Sequence, residues 1–168
     1  LYKAISSGNP DDVIKLIASS DGRTNGLQQT NLDQALLVAC SKGRKLIVQH
    51  LLLRGASTET SDPLGYTPLL VSVEKGFVDI VRLLLDKGAD VNASNIRGDS
   101  ALTLSVRTCG SKDMIGLLLK QKSVDVHHRN KDGYTCWMKA VEALDFDALK
   151  LLIKSRKDID KDVNDCKG

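Results

Sequence analysis

Apolar and polar positions alternate along this chain with the period of short amphipathic helices. In the clearest stretch, Leu69, Ser72 and Val73 recur at i, i+3 and i+4, which places them on one helix face. Pro68 suits the first helical position, since the donor that proline lacks would have no partner there. Gly76 provides the left-handed residue that commonly ends a helix. The pattern therefore predicts a helix that begins near Pro68 and ends before Gly76.

A second short helix is predicted directly downstream, over about Val78 to Asp86. Its inward face carries four aliphatic residues, Ile80, Val81, Leu84 and Leu85. Gly88 ends this helix, and the chain leaves through an extended turn over 89–92. Helices this short fall below the roughly 12–15 residues at which an isolated helix is even marginally stable. The pair must therefore pack on similar pairs before and after it, which predicts a helical solenoid.

The same pattern recurs at intervals of about 33 residues. Gly43 and Gly55 precede Gly76 and Gly88 by this spacing, and Gly98 follows Gly65 by it. Gly133 begins a further copy after two single-residue insertions. We expect one domain over 1–168, a fragment of a longer chain, with units at about 1–31 (truncated), 32–64, 65–97, 98–132 and 133–165.

The repeated residues resemble a known family. The unit that starts at Gly65 carries Thr67-Pro68-Leu69, then Gly76, Leu84-Leu85 and Gly88-Ala89-Asp90-Val91-Asn92. A 33-residue unit of this form resembles the ankyrin repeat. The resemblance implies a mainly α solenoid of stacked helix-turn-helix units, with β-hairpin-like fingers and a concave groove. It also implies a non-catalytic scaffold or adaptor module that binds a partner protein or peptide in that groove.

Several positions depart from the family pattern. The histidine that follows Thr-Pro-Leu in the family is replaced in every unit, by Leu37, Leu70, Thr103 and Met138. Gln34-Ala35 and Ser100-Ala101 stand where Thr-Pro would start a helix. Helix-ending glycines are also replaced, by Leu144 after a first helix and by Lys122 and Arg156 after second helices. We expect these changes to reduce the regularity and the local stability of the fold, most of all in the last two units.

Composition and charge exclude several function classes. The net charge is only +3, with both signs interspersed, whereas a nucleic-acid-binding protein more often has a clustered basic excess. No apolar run approaches the roughly 20 residues that span a bilayer, so we expect no membrane insertion. Aromatic residues make up 4% of the chain, and aliphatic and small residues supply the expected thin core.

No residue pattern indicates catalysis or a cofactor. The three histidines are interpreted as structural or solvent-facing residues: His50, His127 and His128. The four cysteines lack metal-site spacing and are expected to be reduced thiols: Cys40, Cys109, Cys136 and Cys166. We therefore expect a protein that is not an enzyme, binds no metal or cofactor, and resides inside the cell, in the cytoplasm or the nucleus.

Binding residues are expected where the repeat displays side chains, around each opening glycine and at the end of each first helix. Tyr66, Ile96, Arg97 and Tyr134 are the leading candidates, because tyrosine and arginine are enriched at binding hot spots. Further displayed positions include Asp33, Lys75, Asp99, Arg107, Thr108 and Lys131, and of these Lys75, Arg107 and Lys131 complete the predicted partner-binding set.

Two alternatives to protein binding remain at this stage. One is a domain that senses a phosphate-containing ligand or a nucleic acid, because four basic residues could contact phosphates: Arg97, Arg107, Arg129 and Lys131. It would bind with a steep dependence on salt concentration. The other alternative is an architectural spacer whose groove binds no ligand.

Overall fold

The computed structural model describes the backbone of residues 26–107 and 112–165, and the side chains of 31–107 and 112–155. Most of the truncated first unit, and Thr108, Cys109 and Cys166, lie outside the described residues. The described residues form these helices: α1 (Gly26–Ser41), α2 (Lys45–Leu53), α3 (Pro68–Glu74), α4 (Val78–Asp86), α5 (Ala101–Arg107), α6 (Lys112–Leu119), α7 (Cys136–Glu142) and α8 (Phe146–Asp165).

The helices form two parallel rows. Helices α1, α3, α5 and α7 pack on one another in chain order, and α2, α4, α6 and α8 do the same in a second row. Each helix of the first row also contacts the helix that follows it in the chain. The buried core between the rows is aliphatic and small, as the scarcity of aromatic residues indicated. This arrangement confirms the predicted mainly α solenoid of stacked helix pairs.

The helix pair predicted most sharply has the expected boundaries. Helix α3 begins at Pro68, and the Thr67 hydroxyl caps it by accepting the backbone N–H of Leu70 at 3.3 Å. Gly76 has φ of +76°, the left-handed conformation that ends the helix. Helix α4 runs from Val78 to Asp86. Local stop and start signals therefore determine these two helices.

Two helices extend further than the repeat pattern indicates. Helix α1 begins at Gly26, although a helix start near Gln34-Ala35 was expected. Asp33, expected on display, therefore lies within a helix and is buried. Helix α8 runs to Asp165 and includes 158–160, which were expected in an extended turn. Arg156 stands where Gly88 ends the equivalent helix, so no glycine interrupts the last one.

Leu144 ends α7 in a conformation that normally requires glycine. Its φ is +52°, and among the described residues it is the one residue other than glycine with positive φ. The N–H of Leu144 donates to Val141 O, and the N–H of Asp145 donates to Ala140 O, both at 3.0 Å. The same two bonds close α3 at Gly76. The repeat geometry therefore forces Leu144 into a strained backbone conformation.

The loops between units form hairpin-like fingers at 62–66, 95–99 and 130–134. In each finger a side-chain oxygen, from Asp62, Asn95 or Asn130, accepts two backbone N–H groups at 2.8–3.1 Å. The tips contain Gly65, Gly98 and Gly133, all with positive φ. One isolated antiparallel bridge pairs Ser94 with Ser100 in the second finger. The Asp and Asn side chains thus hold the finger turns.

Neighbouring fingers are joined through their backbones. The N–H of Ile96 donates to Leu64 O at 3.0 Å, and the N–H of Lys131 donates to Arg97 O at 2.9 Å. A Cβ on Gly65 would lie 2.9 Å from Ile96 N, and one on Gly98 would lie 3.0 Å from Lys131 N. Glycine is therefore required at both tips for the backbone angle and for the close approach of the next finger.

Candidate protein-interaction surface

Four of the predicted binding residues line one cavity between the first two fingers and the ends of α3 and α5. The cavity has a volume of about 260 Å³. We call it the finger cleft, and its lining residues are Leu64, Tyr66, Glu74, Asn95, Ile96, Arg97 and Arg107. The structure thus brings Tyr66, Ile96, Arg97 and Arg107 together from positions far apart in the sequence.

A hydrogen-bonded network centred on Glu74 forms one wall of the cleft. The Tyr66 hydroxyl donates to Glu74 Oε1 at 3.1 Å, and Arg107 Nη2 donates to the same oxygen at 3.3 Å. Arg107 Nη1 lies 3.7 Å from Asp99 Oδ2. Asp99 was expected on display, but it is buried behind this network at 4% exposure. Arg107 therefore offsets one of the two negative charges that Glu74 and Asp99 bring to the network.

The opposite wall presents groups that are available to a ligand. Ile96 and Leu64 are about half exposed at the tips of adjacent fingers. The Arg97 side chain is exposed and forms no ion pair with any residue that the structure describes. Arginine is among the residue types enriched at binding hot spots, and the Arg97 guanidinium is free to meet a ligand here.

Asn95 lies buried at the base of the cleft with a spare hydrogen-bond donor. Its Oδ1 accepts two backbone N–H groups of its own finger, yet its Nδ2 has no acceptor in the described structure. The equivalent amide of Asn130 donates to Asp99 Oδ1 at 2.8 Å. Asp99 directly follows Gly98, the glycine of the finger that precedes Asn130. In the finger that precedes Asn95, the residue that directly follows the glycine Gly65 is Tyr66. Asn95 therefore lacks its acceptor because a tyrosine replaces the aspartate.

Sequence reasoning missed Asn95, although a signal was present. An Asp or Asn stands three residues before each finger glycine, at 62, 95 and 130. That recurrence could have identified the turn-holding residues. The free amide could not be read from it, because it depends on which side chain the preceding finger supplies.

Tyr134 lies outside the finger cleft, on a separate apolar surface. This surface also includes Trp137, Met138, Val141 and Leu149. Lys139 Nζ sits 3.9 Å from the centre of the Tyr134 ring and pairs with Glu142 at 2.7 Å. The hydrogen bond to Glu142 raises the pKa of Lys139, so the cation over the ring stays charged.

The remaining predicted residues, Lys75 and Lys131, are exposed but do not line the cleft. Lys75 caps the end of α3, and its N–H donates to backbone carbonyls of that helix. Lys131 contributes its backbone N–H to the bond between the second and third fingers. Both lysines could meet a ligand that extends beyond the cleft.

Metal-ligand residue types are not clustered among the described side chains. No group of three or more His, Cys, Asp or Glu residues is placed to hold a metal ion in the described part of the chain. Burial raises the pKa of the Cys40 thiol to about 12 and that of Cys136 to about 11. Both thiols are therefore protonated and unreactive at neutral pH. His128 Nε2 lies 2.8 Å from Gly98 O, so this ring braces two fingers.

Comparison with protein-family models identifies the fold. A model described as ankyrin repeats (3 copies) matches residues 1–95, and one described as ankyrin repeats (many copies) matches residues 73–119. The chain belongs to the ankyrin-repeat family. No curated protein matches the chain. The family-model matches end before α7 and α8, and the structure shows that these helices continue both rows of the ankyrin solenoid.

Membership of the ankyrin family indicates the general role. Ankyrin repeats are generally protein–protein interaction modules and are typically non-catalytic. Within the residues that the structure describes, none of the helices combines the length and the hydrophobicity needed to span a membrane.

Proposed function

We propose that this ankyrin domain is a non-catalytic interaction module that binds a segment of a partner protein in the finger cleft. The observation that carries the proposal is the convergence of Tyr66, Ile96, Arg97 and Arg107 on one cavity. Backbone hydrogen bonds between the fingers fix the main chain at Ile96 and Arg97, and Glu74 accepts hydrogen bonds from the side chains of Tyr66 and Arg107. Such preorganisation lowers the entropic cost of binding.

A phosphate or nucleic-acid ligand is less well supported by the same geometry. Arg107 is engaged by Glu74 and Asp99, and Arg129 Nη1 donates to Gly133 O at 3.0 Å. Two of the four basic residues expected to contact phosphates are therefore already occupied.

The unpaired thiols Cys40 and Cys136 support a reducing environment inside the cell for the module.

The test compares two triple variants of the chain. The cleft variant carries Tyr66→Ala, Ile96→Ala and Arg97→Ala. The control carries Lys45→Ala in α2, Arg82→Ala in α4 and Lys120→Ala directly after α6. Proteins captured from cell extract by each variant and by the unmodified chain are quantified by mass spectrometry. Helical circular dichroism verifies that both variants fold.

We expect specific partners to be lost from the cleft variant and retained by the control. Truncating hot-spot residues commonly costs 2 kcal/mol or more each, so the loss should be at least about tenfold. Equal capture by the unmodified chain and the cleft variant would reject the cleft as the binding site. If partners were lost from the control variant alone, the binding site would lie on the second row of helices instead.

A further inference from the structure

We propose that the finger cleft recognises an acidic side chain, Asp or Glu, within a partner segment that also carries a bulky apolar residue. This inference rests on the proposed function and assigns the chemistry of the partner. Three independent features of the cleft carry it: the unpaired charge, the unsatisfied amide and the exposed apolar side chains.

Arg97 is the charged side chain of the cleft that remains open to a partner, because Glu74 and Asp99 already accept hydrogen bonds from this chain. The Glu74 carboxylate already accepts hydrogen bonds from Tyr66 and Arg107, so it has little capacity for a basic ligand. Asp62, beside the cleft, accepts the backbone N–H groups of its own turn. Arg97 is the cleft cation without an ion-pair partner among the described residues. A guanidinium in this state pairs well with a carboxylate, which can accept two parallel hydrogen bonds.

The Asn95 amide supplies a second hydrogen-bond donor. The equivalent residue of the next finger shows which kind of acceptor this donor binds. Asn130, at the equivalent position of the next finger, donates to the Asp99 carboxylate at 2.8 Å. Asn95 has no such carboxylate, because Tyr66 occupies the place that Asp99 has in the next unit. A buried donor without an acceptor is destabilising. Asn95 Nδ2 is buried in the free chain, so a partner carboxylate must displace neighbouring side chains to reach it. It would then restore the missing pair, with Asn95 and Arg97 donating to it.

The apolar part of the partner is indicated by Leu64 and Ile96. Both side chains are more than half exposed, at 55% and 51%, and they flank the charged group. Covering them removes apolar surface from water, which favours association. An extended segment with Asp or Glu beside Leu, Ile or Phe would satisfy the cation, the amide and the apolar tips together.

The experiment selects random peptides displayed on phage against the whole chain and two cleft variants. Arg97→Glu reverses the free charge at an exposed position. Asn95→Asp replaces the donor by an acceptor, and Asp62 shows that an aspartate can hold this turn. Arg82→Glu, an exposed arginine on α4, is the matched charge-reversal control. Urea unfolding verifies that each variant folds. If Asn95→Asp does not fold, Arg97→Glu still tests the proposal.

The unmodified chain should enrich peptides with Asp or Glu beside a bulky apolar residue. The selected peptides should bind Arg97→Glu and Asn95→Asp at least about tenfold more weakly, and Arg82→Glu equally well. Arg97→Glu should in turn enrich Lys and Arg.

Two other outcomes separate the inference from the proposed function. If the selected peptides show no acidic bias but lose binding when Tyr66, Ile96 and Arg97 are substituted, the acidic partner is overturned and the cleft remains the binding site. Peptides that bind every cleft variant unchanged, or no enrichment at all, would overturn both proposals.

Discussion

Leu144 shows how the repeat geometry prevails over the preference of a single residue. A left-handed backbone costs a residue with a Cβ roughly 1–2 kcal/mol, and glycine carries no such penalty. The side chain of Leu144 is 71% exposed, so it gains little from burial in return. The hydrogen bonds that end α7 hold Leu144 in place despite this strain.

Replacing Leu144 by glycine should therefore stabilise the fold by about 1 kcal/mol. The free energy of unfolding, measured in urea, provides the test. Leu53→Gly is the matched control, because Leu53 is also 71% exposed but lies in α2 with negative φ. It should destabilise the protein by about 0.5–1 kcal/mol. Destabilisation by both changes would show that Leu144 bears no strain.

Cys40 should make stability fall at alkaline pH. Burial raises its pKa from 9.0 to about 12 in the folded chain, so the unfolded chain loses the thiol proton first. The free energy of unfolding should therefore decrease from about pH 9 up to about pH 12. Cys40→Ala should show a shallower decrease in urea unfolding over the same range. Identical slopes in both proteins would contradict the raised pKa.

At the level of elements, the fingers depend on close backbone contact. Gly65 and Gly98 leave no room for a Cβ, whereas a Cβ on Gly133 would meet nothing within 4 Å in the described structure. All three residues have similar positive φ, between +75° and +80°. The three positions therefore separate the cost of the backbone angle from the cost of displacing the next finger.

Gly133→Ala should cost about 1 kcal/mol, the cost of the backbone angle alone. Gly65→Ala and Gly98→Ala should cost clearly more, because each also pushes the next finger away. Gly65→Ala should in addition weaken ligand binding, since Ile96 lines the cleft. Urea unfolding of the three variants tests this order, and equal losses in all three would rule out the steric component.

The boundaries of the elements show what the sequence could and could not predict. Helices α3 and α4 were predicted closely because Pro68, Gly76 and Gly88 provide strong local start and stop signals. The predicted start of α1 was wrong because Gln34-Ala35 replaces the Thr-Pro start signal, and the predicted end of α8 was wrong because Arg156 replaces the helix-ending glycine. The repeat frame predicted that Tyr66, Ile96, Arg97 and Arg107 are displayed, and the structure is needed to see that these four line one cleft. The repeat frame could not reveal the free amide of Asn95, which depends on contact between two fingers.

At the scale of the whole molecule, burial is set by the neighbouring unit. Val73 and Val141 occupy the same position in copies two units apart, eight residues after a finger glycine. Val73 is 1% exposed, because α3 packs between α1 and α5. Val141 is 59% exposed, and no further helix pair of the described residues covers α7. Stability in such an array is a sum of units and their interfaces.

Val73→Ala should therefore cost about 2 kcal/mol, and Val141→Ala less than about 0.5 kcal/mol. Both variants make the same chemical change, Val to Ala, so urea unfolding compares the loss of stability at the two positions directly. A large loss for Val141→Ala would mean that the exposed end of α7 is covered in solution. That loss of stability would then indicate that Val141 contacts a unit outside the described residues.

The central claim is that ligands bind in the finger cleft, and amide chemical-shift mapping by NMR tests it most directly. The probe is a peptide selected on the unmodified chain, titrated into the labelled protein. The account predicts that the largest shifts fall in the fingers at 62–66 and 95–99 and at the ends of α3 and α5. Largest shifts in α2, α4 and α6, with the fingers unchanged, would contradict it.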